Sequence, residues 1–251
     1  MRTAWFIPCG RLAYGDAWAL QKSLLAARQA GAVPDAVLFV EHPPVITLGR
    51  AARASNVLAA PGMLAARGID LFQIERGGDV TYHGPGQLVG YPIVDLRAFD
   101  EDIGRYVRTL EAALIDALGT WRITAQRLHG FPGVWAGGAK VAAIGVAVKR
   151  KVTMHGFALN VDPDLAAFDL INPCGLGRPV TSIARLLGRP VGLEEASPVV
   201  ARTLAEALDV RWDTRTLEDV RSGLATAAVG DGAAGEPRIP VPATMESNPD
   251  P

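Results

Sequence analysis

Two apolar segments separated by three basic residues constrain the fold of this chain more than any other feature. Residues 141–148 and 152–161 are rich in apolar residues, and residues 149–151 between them are lysine, arginine and lysine. A short polar turn between two such segments is typical of a β-hairpin. Because the first segment is almost entirely apolar, we expect it to form an interior strand of a sheet.

The rest of the chain alternates between helix and strand patterns. Apolar residues at helical spacing predict helices, and short apolar runs bounded by turn-forming residues predict strands. Helices and strands mixed in this order predict an α+β (mixed α/β) protein, in which a mixed β-sheet is flanked by helices. The predicted helices cover residues 14–30, 103–118, 182–187 and 193–208, and the predicted strands outside the hairpin cover residues 37–40, 45–48, 70–75 and 88–94.

Composition argues against several classes of function. The formal net charge of −1 over 251 residues leaves no basic surplus for a nucleic-acid partner. No apolar run reaches the roughly 18 residues that a membrane span needs. The four histidines show no paired spacing, so no metal is expected, and glycine motifs for dinucleotides or phosphates are absent, so no cofactor is expected. The two distant cysteines form no disulfide framework, and we see no signal peptide, so we expect a protein of the reducing cytoplasm.

Lys140 and Cys174 are the leading candidates for catalysis. The chain has four lysines against 21 arginines, and Lys140 lies in an apolar stretch just after two glycines. Burial in such a stretch disfavours the charged amine, which prepares a lysine to accept a proton. Cys174 lies between Pro173 and Gly175, where a bend can present its thiol. A thiol and a titratable amine together can form a nucleophile and its base.

Both candidates also have simpler interpretations. A lysine at a sheet edge extends its amine into water, and a cysteine in the core behaves as a small apolar residue. Cys9 has no setting comparable to that of Cys174, and we expect it to be a buried core thiol. Residues 149–151 are interpreted as a solvated turn, with docking of an acidic partner as the alternative.

Residues 76–87 predict a binding loop followed by a short strand. The segment begins with an arginine and two glycines, and paired glycines allow the backbone to approach a ligand closely because no Cβ intervenes. Alternation along the strand then places Thr81 and His83 on one side and Tyr82 on the other. The alternative is an ordinary loop in which His83 makes only local hydrogen bonds.

The second arm of the hairpin contains another candidate binding surface. Alternation predicts that small residues line one face of this arm and that larger residues line the other. The small residues leave space for an apolar ligand, and two residues across the hairpin would widen that space; the alternative is an ordinary packed strand. The small face consists of Gly156, Ala158 and Asn160, the residues across the hairpin are Ile144 and Gly145, and the other face carries His155, Phe157 and Leu159.

These segments together resemble the octanoyltransferases of lipoate biosynthesis, also called lipoyl(octanoyl) transferases. The resemblance implies the catalytic fold of biotin–protein and lipoate–protein ligases over residues 32–215, with an N-terminal strand and helix over residues 1–31 packed on it. Residues 216–251 form an extension without a counterpart, which we expect to be disordered from about residue 225 because large apolar residues are few there. The resemblance rests on residues 76–87, 140–145, 155–160, 173–175 and 181–183.

The resemblance implies transfer of an octanoyl group from acyl carrier protein to a lysine of a lipoyl domain, the first step of endogenous lipoate biosynthesis. The acceptors would be lipoyl domains of 2-oxoacid dehydrogenases and the glycine-cleavage H protein. We hypothesise that Cys174 carries the octanoyl group as a thioester and that Lys140 acts as acid and base. Backbone amides near Gly175 or at residues 77–78 are candidates for binding the oxyanion. The expected binding residues are Arg76, Gly77, Gly78, Asp79, Val80, Thr81, Tyr82, His83, Ala143, Ile144, Gly145, Gly156, Phe157 and Ala158.

Three other functions compete with this one. An ATP-dependent lipoate or biotin ligase on the same fold would need no cysteine, but the chain lacks a Gly-Arg-Gly-Arg type of nucleotide loop. A non-catalytic module that binds carrier proteins would have Cys174 as a core thiol. A cysteine hydrolase would pair Cys174 with His83 or His155 and pass the acyl group to water.

Overall fold

A computed structural model describes residues 1–172 and 178–228, with side chains through residue 224. Cys174 therefore lies outside the described residues. The strands are β1 (Arg2–Arg11), β2 (Ala36–Glu41), β3 (Val45–Leu48), β4 (Asp70–Gln73), β5 (Val80–His83), β6 (Gln87–Ile93), β7 (Ala125–Leu128), β8 (Phe131–Ala136), β9 (Ala139–Lys149), β10 (Val152–Asn160) and β11 (Val210–Thr214). The α-helices are α1 (Tyr14–Gln29), α2 (Pro61–Ala66), α3 (Ile103–Thr120), α4 (Ile183–Leu187), α5 (Leu193–Leu208) and α6 (Leu217–Ala228).

Eight of these strands form one mixed sheet in the order β11-β1-β2-β6-β10-β9-β8-β7. The β1 strand runs parallel to both β11 and β2, whereas every later pair in this order is antiparallel. The mixed sheet with flanking helices confirms the fold class predicted from the sequence.

Both faces of the large sheet are covered, because successive strand residues point to opposite sides. In β2, Val37 and Phe39 enter the cluster that contains α3 and α5, whereas Leu38 and Val40 enter the cluster that contains α1 and α6. A central strand buried on both faces must be apolar at every position, which explains the continuous apolar run in β2.

The helix α3 shows how the sequence fixes these flanking elements. Its N-cap, Asp102, accepts a hydrogen bond from the amide of Arg105, which satisfies one of the free donors at the helix start. Leu110, Leu114 and Leu118 are spaced by one helical turn and lie fully buried against the sheet and α5.

The hairpin predicted from residues 141–161 is confirmed. The strands β9 and β10 pair antiparallel from Val152 opposite Lys149 to Leu159 opposite Ala142. Arg150 and Lys151 form the turn with φ angles of 44° and 68°, which match the left-handed conformation that two-residue hairpin turns require. The β9 strand lies between β10 and β8, so it is an interior strand as expected.

The three remaining strands form a second sheet in the order β4-β3-β5. The core of this sheet includes Ile46, Leu64 and Tyr82, together with Leu170 and Ile171 from the segment before residue 173. The small sheet therefore holds the predicted binding loop, which lies between β4 and β5, and also the chain that leads toward Cys174.

The C-terminal region contains two elements that the sequence patterns did not reveal. The β11 strand pairs with β1 at one edge of the large sheet, and α6 buries Val220 in the cluster around α1. The helix ends at Ala228, three residues past the predicted start of a disordered tail near residue 225. The division of the chain at residues 31 and 215 stays a prediction. Among the described residues, no helix is long and apolar enough to cross a lipid bilayer.

We predict that Gly90→Ala destabilises the protein by about 1–3 kcal/mol, because the new methyl group overpacks the core. A Cβ at this position would lie 2.2 Å from the ring of Phe157, which packs across the backbone of Gly90. The measurement is urea unfolding. Gly119→Ala in α3 is the control, since a Cβ there meets no atom within 4 Å. Equal unfolding midpoints for the two variants would contradict the prediction.

Candidate active site

Arg76 anchors the predicted binding loop to the small sheet. Its side chain is buried, and its Nη2 donates to the carbonyl of Thr47 at 2.7 Å and to Thr47 Oγ1 at 3.0 Å. The Arg76 Nε also donates to Thr47 Oγ1, at 3.3 Å, and Nη1 donates to the carbonyl of Gly77 at 3.0 Å. The guanidinium therefore fixes the start of the loop through charge-assisted hydrogen bonds within the protein.

The loop is joined to the large sheet by the amide of Gly77, which donates to the carbonyl of Val146 in β9 at 2.9 Å. A Cβ on Gly145 would lie 2.9 Å from the Gly77 carbonyl and 3.1 Å from Arg76 Cδ, so only glycine lets the loop lie this close to β9. Because the Gly77 amide already has an acceptor, it is not a free oxyanion donor, and of the two amides predicted in this loop only that of Gly78 stays a candidate.

The space predicted over the small face of the hairpin is partly filled. A Cβ on Gly156 would lie 2.2 Å from the carbonyl of Gly90. The missing side chain of Gly156 therefore lets the backbones of β10 and β6 lie close together and does not leave space for a ligand. Ile144 is opposite Phe157 and packs in the cluster around α3 and α5, so it does not widen this face. Ala143 and Ala158 remain as a cross-strand pair of small residues on the face toward the loop.

His155 departs from the predicted alternation. Its φ of 58° turns its side chain away from the face of Phe157 and Leu159. The ring instead lies near Tyr91, at a centroid distance of 6.5 Å, and its Nε2 lies 3.6 Å from Glu75 Oε2. The expectation that His155 shares a face with Phe157 is therefore wrong, because the local backbone is left-handed.

Asp79 connects the binding loop with the chain that precedes residue 173. Asn56 Nδ2 donates to Asp79 Oδ2 at 2.5 Å, and the carbonyl of Asn56 accepts the amide of Asn172 at 2.8 Å. The Asp79 Oδ1 atom is buried and has no hydrogen-bond partner among the described residues. Asn56 thus holds both the binding loop, through Asp79, and the chain at Asn172.

The short strand β5 places its side chains as predicted. Tyr82 packs in the core of the small sheet, with its ring 5.6 Å from that of Phe168. His83 faces the other way, stacked on Tyr14 at 6.0 Å, and Thr81 is paired with Thr47. The buried Val80 packs in the same core as Tyr82, so His83 and Thr81 are the members of this strand that face away from it.

Lys140 lies near the start of β9, beside Trp135 of β8. The Lys140 Nζ is 4.9 Å from the centre of the Trp135 ring, and the guanidinium carbon of Arg178 is 5.7 Å from the same ring. A Cβ on Gly133 would lie 3.6 Å from Lys140 Cε, so the lysine stem passes over the backbone of this glycine. The buried carboxylate of Glu111 accepts the Gly133 amide at 3.0 Å and fixes this part of β8.

The backbone of Lys140 pairs with the segment that follows residue 177. Its amide donates to the carbonyl of Pro179, and its carbonyl accepts the amide of Thr181, both at 2.9 Å. Val180 forms a parallel bridge with Lys140. Lys140 is therefore held on both sides within the sheet.

The other cysteine, Cys9, was predicted to be a buried core thiol and is half-buried at the margin of the core. It packs against the core around α1, and its Sγ donates to the carbonyl of Ile7 at 3.4 Å. Burial raises the pKa of the Cys9 thiol to about 12, although Arg221 acts in the opposite direction. A thiol with this pKa is protonated at neutral pH and is a poor nucleophile.

Three histidines near the loop are buried and neutral. Burial lowers the pKa of His42 to about 4, lowers that of His83 well below its ordinary value, and lowers that of His155. The His42 Nδ1 donates to the carbonyl of Leu12 at 2.7 Å, which leaves Nε2 to accept from the hydroxyl of Tyr91 at 2.8 Å. Within residues 1–172 and 178–228, no group of three or more histidine, cysteine or acidic side chains could hold a metal ion.

Thr47, Trp135 and Arg178 were not among the predicted site residues, although Thr47 binds Arg76, Trp135 lies beside Lys140, and Arg178 lies beside Trp135. Thr47 carried a usable signal, since it is the one polar residue in the apolar strand β3. Trp135 and Arg178 carried none, because their proximity to Lys140 depends on strand pairing and on the return of the chain after residue 177.

Comparisons with solved structures identify the fold. Lipoate-protein ligase A bound with ATP superposes with a TM-score of 0.73 at 18% identity, over 92% of this chain and 95% of that one. A bipartite lipoate protein ligase from Thermoplasma acidophilum, analysed with its E2 lipoyl domain, gives a TM-score of 0.71 at 16% identity, over 92% and 93% of the two chains. The molecule therefore has the lipoate–protein ligase catalytic fold.

Sequence comparisons identify the family. The sequence model of the lipoyl protein ligase A/B catalytic domain matches residues 13–205. The octanoyltransferase of Gloeobacter violaceus is 50% identical over 210 residues, which cover 83% of this chain and 92% of that protein. The octanoyltransferase of Solibacter usitatus is 50% identical over 209 residues, covering 83% and 94%. The chain belongs to the lipoyl protein ligase A/B catalytic domain family and is an acyltransferase, which confirms the predicted resemblance to octanoyltransferases.

We predict that Thr47→Val lowers stability by about 1–3 kcal/mol, because the buried guanidinium of Arg76 loses the Oγ1 acceptor. Urea unfolding measures the change. Thr203→Val is the matched control, since the buried Thr203 hydroxyl donates to a carbonyl within its own helix, that of Val200, at 3.2 Å. We expect a smaller loss for the control, and equal losses would show that the Arg76 contact adds nothing.

We also predict that stability falls as the pH drops from about 6.5 to about 4. The pKa of His42 in the folded protein is about 4, so the unfolded chain binds protons first over this range. Each buried histidine then contributes a slope of up to about 1.4 kcal/mol per pH unit. Urea unfolding at several pH values measures the slope. His42→Gln should flatten it, whereas a substitution at the exposed His129 should not, and an unchanged slope for His42→Gln would contradict this account.

Proposed function

We propose that the chain transfers an octanoyl group from octanoyl-acyl carrier protein to a lysine of a lipoyl domain. In this proposal Cys174 forms the acyl thioester, and Lys140 is the acid and base. The names of the relatives at 50% identity support octanoyl as the transferred group. Lipoyl domains of 2-oxoacid dehydrogenases and the glycine-cleavage H protein are the proposed acceptors. A reactive thiol suits a reducing compartment, which agrees with the expected cytoplasmic location.

The observation that carries the proposal is the placement of the chain on each side of residues 173–177. Asn172 is bonded to Asn56, which holds Asp79 of the binding loop, and Pro179 is bonded to the backbone of Lys140. Cys174 is two residues from Asn172 and five from Pro179 along the chain. The described chain on one side of residues 173–177 is thus held against the binding loop and on the other side beside Lys140, and this supports the proposed pairing of Cys174 with Lys140.

The first half-reaction loads the enzyme. The neutral amine of Lys140 takes the proton of the Cys174 thiol, and the thiolate attacks the carbonyl carbon of the donor thioester. The tetrahedral intermediate then collapses and breaks the bond to the carrier sulfur. The Lys140 ammonium returns its proton to this leaving thiolate, so the carrier departs as a thiol and the octanoyl group remains on Cys174.

The second half-reaction uses the same groups in reverse order. The neutral amine of the acceptor lysine attacks the Cys174 thioester, and Lys140 accepts the proton that the amine loses as the amide forms. The bond to the Cys174 sulfur breaks, and Lys140 returns the proton to the departing thiolate. One base therefore serves both steps and ends in its starting form.

The acyl chain has a proposed site against the hairpin. Ala143 and Ala158 present only methyl groups on the face toward the loop. An eight-carbon chain would gain about 0.8 kcal/mol for each buried CH₂, so neighbouring chain lengths are distinguished only coarsely. The roles of the other predicted binding residues, from Arg76 to His83, stay predictions.

The geometry is less favourable to two of the alternatives, a cysteine hydrolase that uses His155 and a sheet-edge position for Lys140. A hydrolase dyad with His155 is disfavoured because this ring is buried beside Tyr91 and its Nε2 lies 3.6 Å from Glu75 Oε2. A sheet-edge lysine is disfavoured because Lys140 has neighbours on both sides of β9. The ATP-dependent ligase shares the fold, so reaction without ATP is the observation that separates it from a transferase.

The test is intact-protein mass spectrometry after mixing with octanoyl-acyl carrier protein in the absence of ATP. We expect one octanoyl increment on the wild type, transferred to a lipoyl domain when that domain is added. Cys174→Ser should form no transferable adduct, and Lys140→Arg should lower turnover by roughly 10²–10⁴-fold because arginine cannot act as the base.

Cys9→Ser is the matched control and should keep full transfer, because its thiol is packed away from the reaction. Transfer that requires ATP and free octanoate would replace this proposal with the ligase. Full turnover in Lys140→Arg would remove Lys140 from the role of base.

A further inference from the structure

We infer that Gln87 and Asn160 are positioning residues, which hold Lys140 and the segment 178–181 in the register that the reaction needs. The inference rests on the proposed function, because it takes Lys140 to be the base. It is drawn from a line of buried side chains that connects His83, at the end of the binding loop, to the backbone of Lys140.

The position of Lys140 depends on a change of strand partner. The pairing of β9 with β10 ends at Ala142 opposite Leu159. Beyond this point, the segment around Val180 replaces β10 as the neighbour of Lys140, and both the amide and the carbonyl of Lys140 are hydrogen-bonded to this segment. A side chain that holds this segment in place therefore also holds the backbone of Lys140 in place.

Asn160 is the side chain that fixes the segment. It ends β10, is 5% exposed, and its Nδ2 donates to the carbonyl of Thr181 at 2.9 Å. The amide of the same threonine donates to the Lys140 carbonyl at 2.9 Å. Asn160 is therefore separated from the backbone of Lys140 by a single residue.

Gln87 in turn fixes Asn160. It is 1% exposed and is paired with Asn160 across β6 and β10. Its Nε2 donates to Asn160 Oδ1 at 3.0 Å and to the carbonyl of Tyr82 at 3.2 Å. Its Oε1 lies 3.2 Å from Nδ1 of His83.

Backbone carbonyls determine the direction of every bond in this line. A carbonyl oxygen only accepts, so the groups facing Tyr82 and Thr181 must be the amide NH₂ groups of Gln87 and Asn160. The Gln87 oxygen then faces His83, whose Nδ1 must carry the proton. All donors point the same way, from His83 through Gln87 and Asn160 to Thr181 and Lys140, and aligned hydrogen bonds strengthen one another.

The test is Asn160→Asp, which keeps the shape of the side chain but replaces the donor to Thr181 with an acceptor. We expect kcat to fall roughly 10–100-fold because the base is misplaced, with a smaller change in the KM for octanoyl-acyl carrier protein. A protonated carboxyl regains an O–H donor. The activity of Asn160→Asp relative to wild type should therefore rise as the pH is lowered from 8 to 5.

Thr153→Val is the matched control. Thr153 is also a fully buried polar residue of β10, and its hydroxyl accepts the amide of Val94 at 3.0 Å and donates to the carbonyl of Pro92 at 2.9 Å. This variant should lower the urea unfolding midpoint but keep kcat within about twofold and keep the pH profile of the wild type. A merely structural role of Asn160 would make the two variants behave alike.

Amide hydrogen exchange supplies a readout that is independent of catalysis. The Thr181 amide should exchange at least about tenfold faster in Asn160→Asp than in Thr153→Val, because its segment loses a tether. Faster exchange with wild-type kcat and pH profile would overturn the inference. A wild type that forms no octanoyl adduct would instead overturn the proposed function, and this outcome is seen before any variant is compared.

Discussion

The hydrogen bond between the Gly77 amide and the Val146 carbonyl is the contact on which the site depends, because it joins the small sheet to the large one. Two local features make the contact possible. Gly145 has no side chain to hold the loop away from β9. The amide of His155, opposite Val146 in the sheet, donates to Gln21 of α1 and not to the Val146 carbonyl, which accepts from Gly77 instead. The left-handed backbone at His155 therefore helps to hold the binding loop against β9.

The two sheets carry different parts of the candidate site. The small sheet carries the loop and holds its arginine through Thr47, whereas the large sheet carries Lys140 on an interior strand. The segments that border residues 173–177 leave from one sheet and arrive at the other, at Asn172 and Pro179. In the proposed reaction, the small sheet therefore supplies the binding loop and the large sheet supplies the base.

Local sequence patterns predicted most of the fold and the candidates for the site, but not how the parts meet. The hairpin and the helix α3 follow from apolar periodicity and turn residues, which are local properties. The face of His155 could not be read from alternation, because one left-handed residue changes the direction of a strand side chain. The face of Ile144 depends on the pairing register, which places it opposite Phe157. The polar Thr47 stands out in the apolar strand β3, but its contact with Arg76 could not be predicted, since the two residues are 29 positions apart in sequence.

The change of strand partner at Lys140 also bears on how the protein folds. The neighbours of this residue come from Trp135, five positions earlier, and from Val180, forty positions later. Contacts across such a separation form late, because the intervening chain must first be ordered. The contact with Val180 closes a larger loop than the contact with Trp135, so the position of Lys140 within the sheet is complete only after the chain returns beyond residue 177.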